Sequence, residues 1–156
     1  MRDQQPAAIW PIPQLLSRNA QLRGERTAFA DDQRRVTWGE LDRRTARIAA
    51  GLGVERGARV AFCLDGGVDL VEVVLAAVRA GAVGVPLSPH CTDAELTALL
   101  ADCAPAVLVT DERHRPQVAR ATAGLGDLRV VVAGDDLPAA GAPRDDLGLD
   151  EPAFML

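Results

Sequence analysis

The sequence predicts an α/β fold in which strands and helices alternate around a largely parallel sheet. Two observations support this class: four apolar segments have the length of buried strands, and a helix-like segment separates each from the next. The predicted strands are residues 59–64, 83–87, 106–110 and 128–132. A chain of 156 residues is long enough to bury one core of this kind.

The middle of the chain predicts a helix, a stop, a strand and a second stop. The apolar run at 71–78 fits a buried helix. Gly81 is expected to end it, because glycine adopts the left-handed closing conformation without a Cβ clash. Residues 83–87 then alternate as a strand, and Pro86 and Pro89 mark its end because proline cannot donate to a sheet ladder.

Two capping boxes mark the starts of further helices. Thr37 with Glu40, and Thr92 with Glu95, have the spacing at which each side chain binds the other residue's free backbone N–H. We expect the first of these helices to run to about Leu52 and the second to follow Thr92 directly. Both would pack on the predicted sheet.

Shorter elements complete the prediction. Residues 12–20 and 116–123 fit short helices, and residues 28–30 and 35–37 flank an aspartate-rich turn that is typical of a β-hairpin. We divide the chain into a partial N-terminal α/β domain that begins with an arm, a surface linker rich in Gly, Pro and Asp, and the start of a truncated strand. Their ranges are 1–132 (arm 1–13), 133–152 and 153–156.

The composition argues against several classes of function. A net charge of −5 and an aromatic content of 3% do not favour nucleic-acid binding. No segment approaches the roughly 20 apolar residues of a membrane span, and residues 1–24 lack the apolar core of a signal peptide. All basic residues are arginine, so no catalytic lysine comes from this chain. Three irregularly spaced cysteines, Cys63, Cys91 and Cys103, fit free thiols in a soluble, cytoplasmic protein.

Two glycine-rich segments have features of phosphate-binding loops. The glycines within 51–57 follow a helix and precede a strand, which is the wrong order for a dinucleotide site, so we interpret them as helix breakers. Residues 64–68 have the correct order, and free N–H groups there could hold an anion. This segment lacks a third glycine and a lysine, so we predict a plain turn with Asp65 or Asp69 capping the next helix.

Other candidate groups favour structural roles. His90, Cys91 and Asp93 do not complete a metal site, because the chain has only two histidines and His114 lies far along the sequence. Adjacent residues seldom face each other as a Cys–His nucleophile pair must, and Cys63 and Cys103 fit core positions. The Asp-Asp pairs at 135–136 and 145–146 fit solvated turns rather than acid–base pairs.

Arg43, Arg44 and Arg47 crowd one helical region, and Glu40 is spaced to pair with Arg44. We interpret this region as a solvated face, and a partner-binding patch is the alternative.

Two segments carry a resemblance to a known family. Residues 36–41, with the sequence VTWGEL, resemble the hydrophobic–Thr–aromatic–x–Glu–Leu segment of adenylate-forming enzymes, which include acyl-CoA synthetases, nonribosomal-peptide adenylation domains and luciferases. The helix–glycine–strand segment at 78–89 is similar to a second segment near the start of these enzymes. Residues 27–111 follow the family's order throughout.

The resemblance implies the fold of the first part of the family's large N-terminal domain. It also implies a parent ATP-dependent acid–thiol ligase that uses ATP and Mg²⁺ to convert a carboxylic acid to an acyl-adenylate. The acyl group then passes to coenzyme A or to the phosphopantetheine arm of an acyl or peptidyl carrier protein. The family's phosphate loop, acyl pocket and C-terminal lysine all come after the matched segments. We therefore assign no catalytic, cofactor-binding or metal residue here, and the substrate-binding residues stay unknown.

Two positions bear on the branch of the family. Ser88 stands where peptide-synthetase adenylation domains usually show Asp, and Gly84 where they usually show Tyr, which favours the acyl-CoA or acyl-carrier branch. The chain alone is expected to be an inactive fragment that binds no cofactor tightly, joins the remainder of the enzyme chain, and self-associates through exposed apolar surface. The alternatives are a stand-alone interaction module or half of a split enzyme, and a small Rossmann-like nucleotide binder.

Overall fold

A computed structural model describes residues 10–134, 143–144, 146–150 and 152–155. Helices and strands follow one another along the described chain. The helices are α1 (Ile12–Arg23), α2 (Trp38–Leu52), α3 (Val68–Arg79), α4 (Asp93–Cys103) and α5 (Arg115–Thr122). The strands are β1 (Thr27–Ala30), β2 (Arg35–Thr37), β3 (Arg59–Cys63), β4 (Val83–Pro86), β5 (Val107–Thr110) and β6 (Arg129–Val132).

Four strands form a parallel sheet in the order β4-β3-β5-β6, which confirms the predicted fold class. β3 pairs with β4 on one side and with β5 on the other, and β5 pairs with β6. The parallel direction requires a crossover between successive strands, and α3, α4 and α5 supply these crossovers. None of the described helices combines the length and the apolar character that crossing a bilayer requires.

Each face of the sheet is covered by two helices. Successive side chains of a strand point to opposite faces, so β3 divides between two cores: Val60 and Phe62 meet α2 and α3, whereas Ala61 and Cys63 meet α4 and α5. Both cores consist mainly of small and medium apolar side chains, and the core against α2 and α3 also holds one aromatic ring, Phe62, which is 1% exposed. The alternation of helices on both faces makes a three-layer arrangement.

The hairpin of β1 and β2 is a separate two-stranded antiparallel sheet, as predicted. Val36 is buried with Leu16 of α1, Leu41 of α2 and Val68 of α3 in a third apolar cluster. This cluster holds the hairpin against the start of α3. The turn that joins the two strands therefore lies beside the first residues of that helix.

Both predicted capping boxes are confirmed. The Glu40 carboxylate accepts a hydrogen bond from the Thr37 backbone N–H at 2.8 Å, and the Thr37 hydroxyl accepts from the Glu40 N–H at 3.3 Å. Thr92 and Glu95 exchange the same two bonds. These signals are local, and the helix starts that they predict hold in the folded chain.

Several predicted boundaries move by a few residues. α3 begins at Val68, where the turn at 64–67 predicts its start, and the residue after its C-cap, Gly81, has the expected left-handed φ of 71°. The glycine at position 51 does not break α2, because it is buried inside the helix, and Gly53 ends it. α1 begins at Ile12, within the range assigned to the arm.

Residues 153–155 lie along the free edge of β4. The Gly84 N–H donates to the Ala153 carbonyl at 2.8 Å, and the Met155 N–H donates to the Gly84 carbonyl at 2.9 Å. Gly84 pairs in parallel with Phe154. A Cβ added to Gly84 would lie 2.8 Å from the Phe62 ring and 2.9 Å from the Phe154 ring. The missing side chain at Gly84 lets both rings pack against the backbone of β4. The division into domain, linker and strand stays a prediction.

A buried ion cluster joins three elements. Glu72 of α3 is 1% exposed. Its carboxylate accepts hydrogen bonds from Arg44 of α2 at 2.6 and 2.9 Å, and from Arg34 of the hairpin turn at 3.0 and 3.2 Å. Arg34 also binds Asp69. We call Glu72, Arg34 and Arg44 the Glu72 cluster. Glu40 and Arg44 do not form the expected direct ion pair, because Glu40 binds Thr37 and Arg44 reaches Glu72, although the Arg44 charge still helps to lower the pKa of Glu40.

The carboxylate of Glu72 is ionised in the fold. Burial raises its pKa, but the hydrogen bonds and charges of Arg44 and Arg34 outweigh burial and lower the pKa below its ordinary value. A group with a lowered pKa stabilises the fold fully above its unfolded pKa, and that contribution is lost as pH falls through the folded pKa. The Glu72 cluster thus makes stability fall on the acid side of the ordinary glutamate pKa.

Replacing Gly84 by Ala should lower the free energy of unfolding by about 1–3 kcal/mol, because the new methyl group overlaps two rings. Gly124→Ala is the matched control, since nothing lies within 4 Å of a Cβ at that position. Urea unfolding of both variants gives the comparison. An unchanged midpoint for Gly84→Ala, at an unchanged slope, would contradict the packing described.

Glu72→Gln should lower the free energy of unfolding by about 2–3 kcal/mol at neutral pH, because two arginines lose their shared carboxylate. Below about pH 4, the free energy of unfolding of this variant should also decline less than that of the parent, because the titrating carboxylate is gone. Urea unfolding between neutral and acid pH measures both effects. Glu112→Gln is the control, because Glu112 and Arg115 form an exposed pair and the change should stay within about 0.5 kcal/mol. Equal losses in the two variants would count against the cluster.

Candidate functional site

The connections of the sheet diverge at the carboxyl ends of β3 and β5. From β3 the chain crosses through α3 to β4, and it then returns through α4 to β5 on the other side of β3. The two crossover helices lie on opposite faces of the sheet. In open α/β sheets, ligands bind in the crevice that such a divergence leaves. The ends of β3 and β5 therefore define the candidate site.

Three titratable side chains meet at this crevice. Asp65 follows β3, Asp111 follows β5 directly, and His114 precedes α5. His114 Nδ1 lies 2.8 Å from Asp111 Oδ1, and His114 Nε2 lies 3.7 Å from Asp65 Oδ1. The histidine is 9% exposed, whereas both aspartates are half-buried. We call these three residues the switch-point cluster.

Backbone groups hold Asp111 in place. Its Oδ2 accepts from the Asp65 N–H at 3.0 Å, and its Oδ1 accepts from the His114 N–H at 2.8 Å. Burial raises the pKa of Asp111, but these bonds and the His114 ring outweigh burial, so the pKa lies below the usual range. Asp111 is thus an ionised carboxylate that ties the loop after β3 to the loop after β5.

The switch-point cluster was missed because its members are far apart in sequence. The sequence places His114 far from the other histidine, and the metal ligands considered there, His90, Cys91 and Asp93, do not complete a site. Among the residues that the structure describes, only the switch-point cluster brings three potential metal ligands within 4.8 Å of one another. The sequence does hold one signal for this site, because Asp65 and Asp111 each follow a predicted buried strand.

The start of α3 does not present a free anion site. Asp31, from the hairpin turn, places its Oδ2 2.8 Å from the Val68 N–H. The prediction that Asp65 or Asp69 caps this helix is therefore wrong: Asp65 accepts from Arg113, and Asp69 binds Arg34. A carboxylate of the chain itself occupies the position where a phosphate would bind, which argues against a Rossmann-like nucleotide site.

Asp31 accepts three backbone hydrogen bonds. Besides the Val68 N–H, it accepts from the Gln33 N–H at 2.9 Å and from the Arg34 N–H at 2.8 Å. The bond from Val68 is the largest of the causes that lower the pKa of Asp31. One ionised side chain therefore orders the hairpin turn and caps α3.

The three neighbouring arginines of α2 differ in their surroundings. Arg43 is exposed, and Arg44 belongs to the Glu72 cluster. Arg44 and Arg47 line a cleft of about 50 Å³ whose apolar wall comes from α2, α3, β5 and β6. The predicted solvated face thus holds for Arg43 but not for Arg44, because Arg44 binds a buried carboxylate.

Of the remaining sequence candidates, Cys63 and Cys103 are buried in the core, as predicted. Burial raises the pKa of the Cys63 thiol to about 11. Cys91 is half-buried, and its thiol donates to the Ser88 carbonyl at 2.9 Å. The predicted turns at Asp135, Asp136 and Asp145 lie outside the described residues.

Comparison with known proteins gives the family. Residues 16–153 match a family model described as AMP-binding enzyme. The chain is 37% identical over 123 residues to a 4-hydroxybenzoate–CoA/benzoate–CoA ligase of Rhodopseudomonas palustris, covering 77% of this chain and 23% of the relative. It is 35% identical over 151 residues to a feruloyl-CoA synthase of an Amycolatopsis species, covering 94% and 29%.

Solved structures agree with the sequence matches. The fold superposes on a benzoate CoA ligase from Burkholderia xenovorans with a TM-score of 0.82 and 26% identity, covering 95% of this chain and 32% of that one. The chain spans less than a third of each of these proteins, and only 4–5% of two longer proteins that also match.

Asp31→Ala should lower the free energy of unfolding by about 1–2 kcal/mol, because α3 loses its cap. Uncovering the helix start should also make the variant more responsive to sulfate than the parent, measured as the shift in thermal midpoint. Asp32→Ala is the matched control at the exposed neighbouring position. Equal sulfate responses in both variants would show that the start of α3 is not an anion position.

The two segments that carried the resemblance lie at the start of α2 and across α3 and β4. Both fall within the matched residues 16–153, which cover more than half of the chain. The sequence match, the shared fold and the two segments agree. The chain belongs to the AMP-binding enzyme family.

Proposed function

We propose that the chain is the N-terminal part of an ATP-dependent acid–thiol ligase. The enzyme would activate a carboxylic acid as an acyl-adenylate and transfer the acyl group to coenzyme A or a carrier-protein thiol. The continuous match over residues 16–153 carries this proposal. The names of the two relatives support the coenzyme A branch, as do Ser88 and Gly84.

The reaction needs an electrophile that a free carboxylate does not provide. Attack of the carboxylate on the α-phosphorus of ATP expels pyrophosphate, and attack of a thiol on the acyl-adenylate then expels AMP. Charge on the phosphates requires Mg²⁺, backbone donors and cationic side chains. We propose that other parts of the enzyme supply these groups, and that no residue of this chain is catalytic or binds the nucleotide.

The described contacts support a framework role. Glu72 binds arginines of two other elements, Asp31 caps α3, and Gly84 lies between two aromatic rings. These interactions fix the sheet and its helices rather than present polar groups to a substrate. We propose that the remainder of the enzyme packs on this framework, that residues 133–152 form a surface linker, and that the enzyme works in the cytoplasm. Without that remainder, the chain is expected to self-associate.

One observation favours a second candidate. Both faces of the sheet are covered by helices of this chain, so its core is closed on either side. A closed core suits a separately folded unit, such as half of a split enzyme or a non-catalytic interaction module. This candidate predicts a monomer or dimer whose melting is sharp and independent of concentration.

ATP–pyrophosphate exchange tests the proposal. The 156-residue chain alone should give no exchange above the blank with any carboxylic acid, because the phosphate-handling groups are absent from it. The coding DNA should continue beyond the codon for Leu156 into a Ser/Thr/Gly-rich loop that ends in Lys-Gly. The full product should then catalyse exchange with a carboxylic acid.

Three outcomes separate the alternatives. Exchange by the chain alone contradicts the framework role. A stop codon after Leu156, with exchange restored by a second polypeptide, favours a split enzyme. A stop codon without any complementing polypeptide favours the interaction module.

A further inference from the structure

We propose that the switch-point cluster binds a divalent transition-metal cation, with Zn²⁺ as the probe. His114 Nε2 and Asp65 Oδ1 would be the protein ligands, and Asp111 would orient the histidine. This proposal departs from the sequence-based expectation of no metal site. It does not depend on the ligase function, because it concerns only residues at the ends of β3 and β5.

Asp111 prepares the histidine for such a role. With the Asp111 carboxylate 2.8 Å from Nδ1, the proton of a neutral ring belongs on Nδ1, which leaves the Nε2 lone pair free. Metal-binding histidines almost always donate their other ring N–H in this way, commonly to a carboxylate. Two backbone N–H groups already hold Asp111, so its carboxylate is an orienting group rather than a third ligand.

The surroundings of Nε2 point to a ligand. The His114 side chain is nine-tenths buried, with a relative exposure of 10%. Within the described part of the chain, Nε2 makes no hydrogen bond, and Asp65 Oδ1 at 3.7 Å is too far to accept one. The Asp65 carboxylate thus faces Nε2 without a direct hydrogen bond. A bound cation would satisfy both Nε2 and the facing oxygen.

The spacing suits a shared cation. Two ligands of a tetrahedral zinc with bonds of about 2.1 Å lie roughly 3.4 Å apart. The observed 3.7 Å between Nε2 and Oδ1 needs only a small rotation of Asp65, whose side chain is 37% exposed. Water would complete the coordination, since only two protein ligands are present.

The local charge permits a cation. Arg113 binds Asp65 through Oδ2 at 2.8 Å and leaves Oδ1 facing the histidine. The Arg113 side chain is 78% exposed, so it can turn into solvent. The carboxylates of Asp65 and Asp111 supply two negative charges against this single arginine. An imidazole paired with a carboxylate suits zinc and its neighbours better than Mg²⁺ or Ca²⁺.

The two histidines of the chain make the test direct. We would label the histidine rings with ¹⁵N in a chain without a polyhistidine tag and follow both rings by NMR during titration with zinc sulfate. The Nε2 signal of His114 should shift saturably at one equivalent, and that of His90 should stay in place. Magnesium sulfate at equal ionic strength should move neither.

Variants identify the ligands. Asp65→Asn should weaken binding at least tenfold, and Asp111→Asn by about 10- to 100-fold. A Cys91→Ser variant should bind as the parent does, which excludes a competing site at His90 and Cys91. A shift confined to His90, a shift that never saturates, or unchanged affinity in Asp65→Asn would overturn the proposal. The parent spectra decide the outcome even if a variant fails to fold.

Discussion

The Glu72 cluster is the interaction on which the rest of the structure depends. A carboxylate that is 1% exposed is stable only with its charge and oxygens satisfied, and Arg34 and Arg44 do this from the hairpin turn and from α2. The Glu72 cluster also fixes the position of the hairpin. Because α3 must present Glu72 to both arginines, the hairpin lies against the start of α3. Asp31 then reaches the Val68 N–H and closes the helix start.

The two ends of α3 have different surroundings. At its start, a carboxylate of the chain takes the anion position, so this turn serves structure. Beyond its far end, β4 carries Gly84, where the lack of a side chain lets two rings approach the backbone. The carboxyl ends of β3 and β5 differ from both, because polar side chains gather there around a buried histidine. Framework and candidate site are thus neighbours in one sheet.

Local signals predicted most of the fold. The Thr37 and Thr92 capping boxes and Gly81 depend on residues within one turn, and each holds in the structure. Partners distant in sequence could not be predicted. Glu40 lies at helical spacing from Arg44, yet Arg44 binds Glu72. The Glu40 carboxylate already accepts a hydrogen bond from Thr37, and an unpaired charge on the buried Glu72 would cost more free energy. The switch-point cluster was missed for the same reason, since only the strand order brings His114 to Asp65.

The pairing of Gly84 with Phe154 has a consequence for synthesis of the chain. Gly84 and Phe154 are separated by most of the second half of the sequence. The β4 edge therefore stays open while α4, β5, α5 and β6 leave the ribosome. Contacts between distant residues form late, and an unpaired strand edge is prone to join another chain in the meantime. At Gly84 this edge would therefore close only after the rest of the sheet has been made.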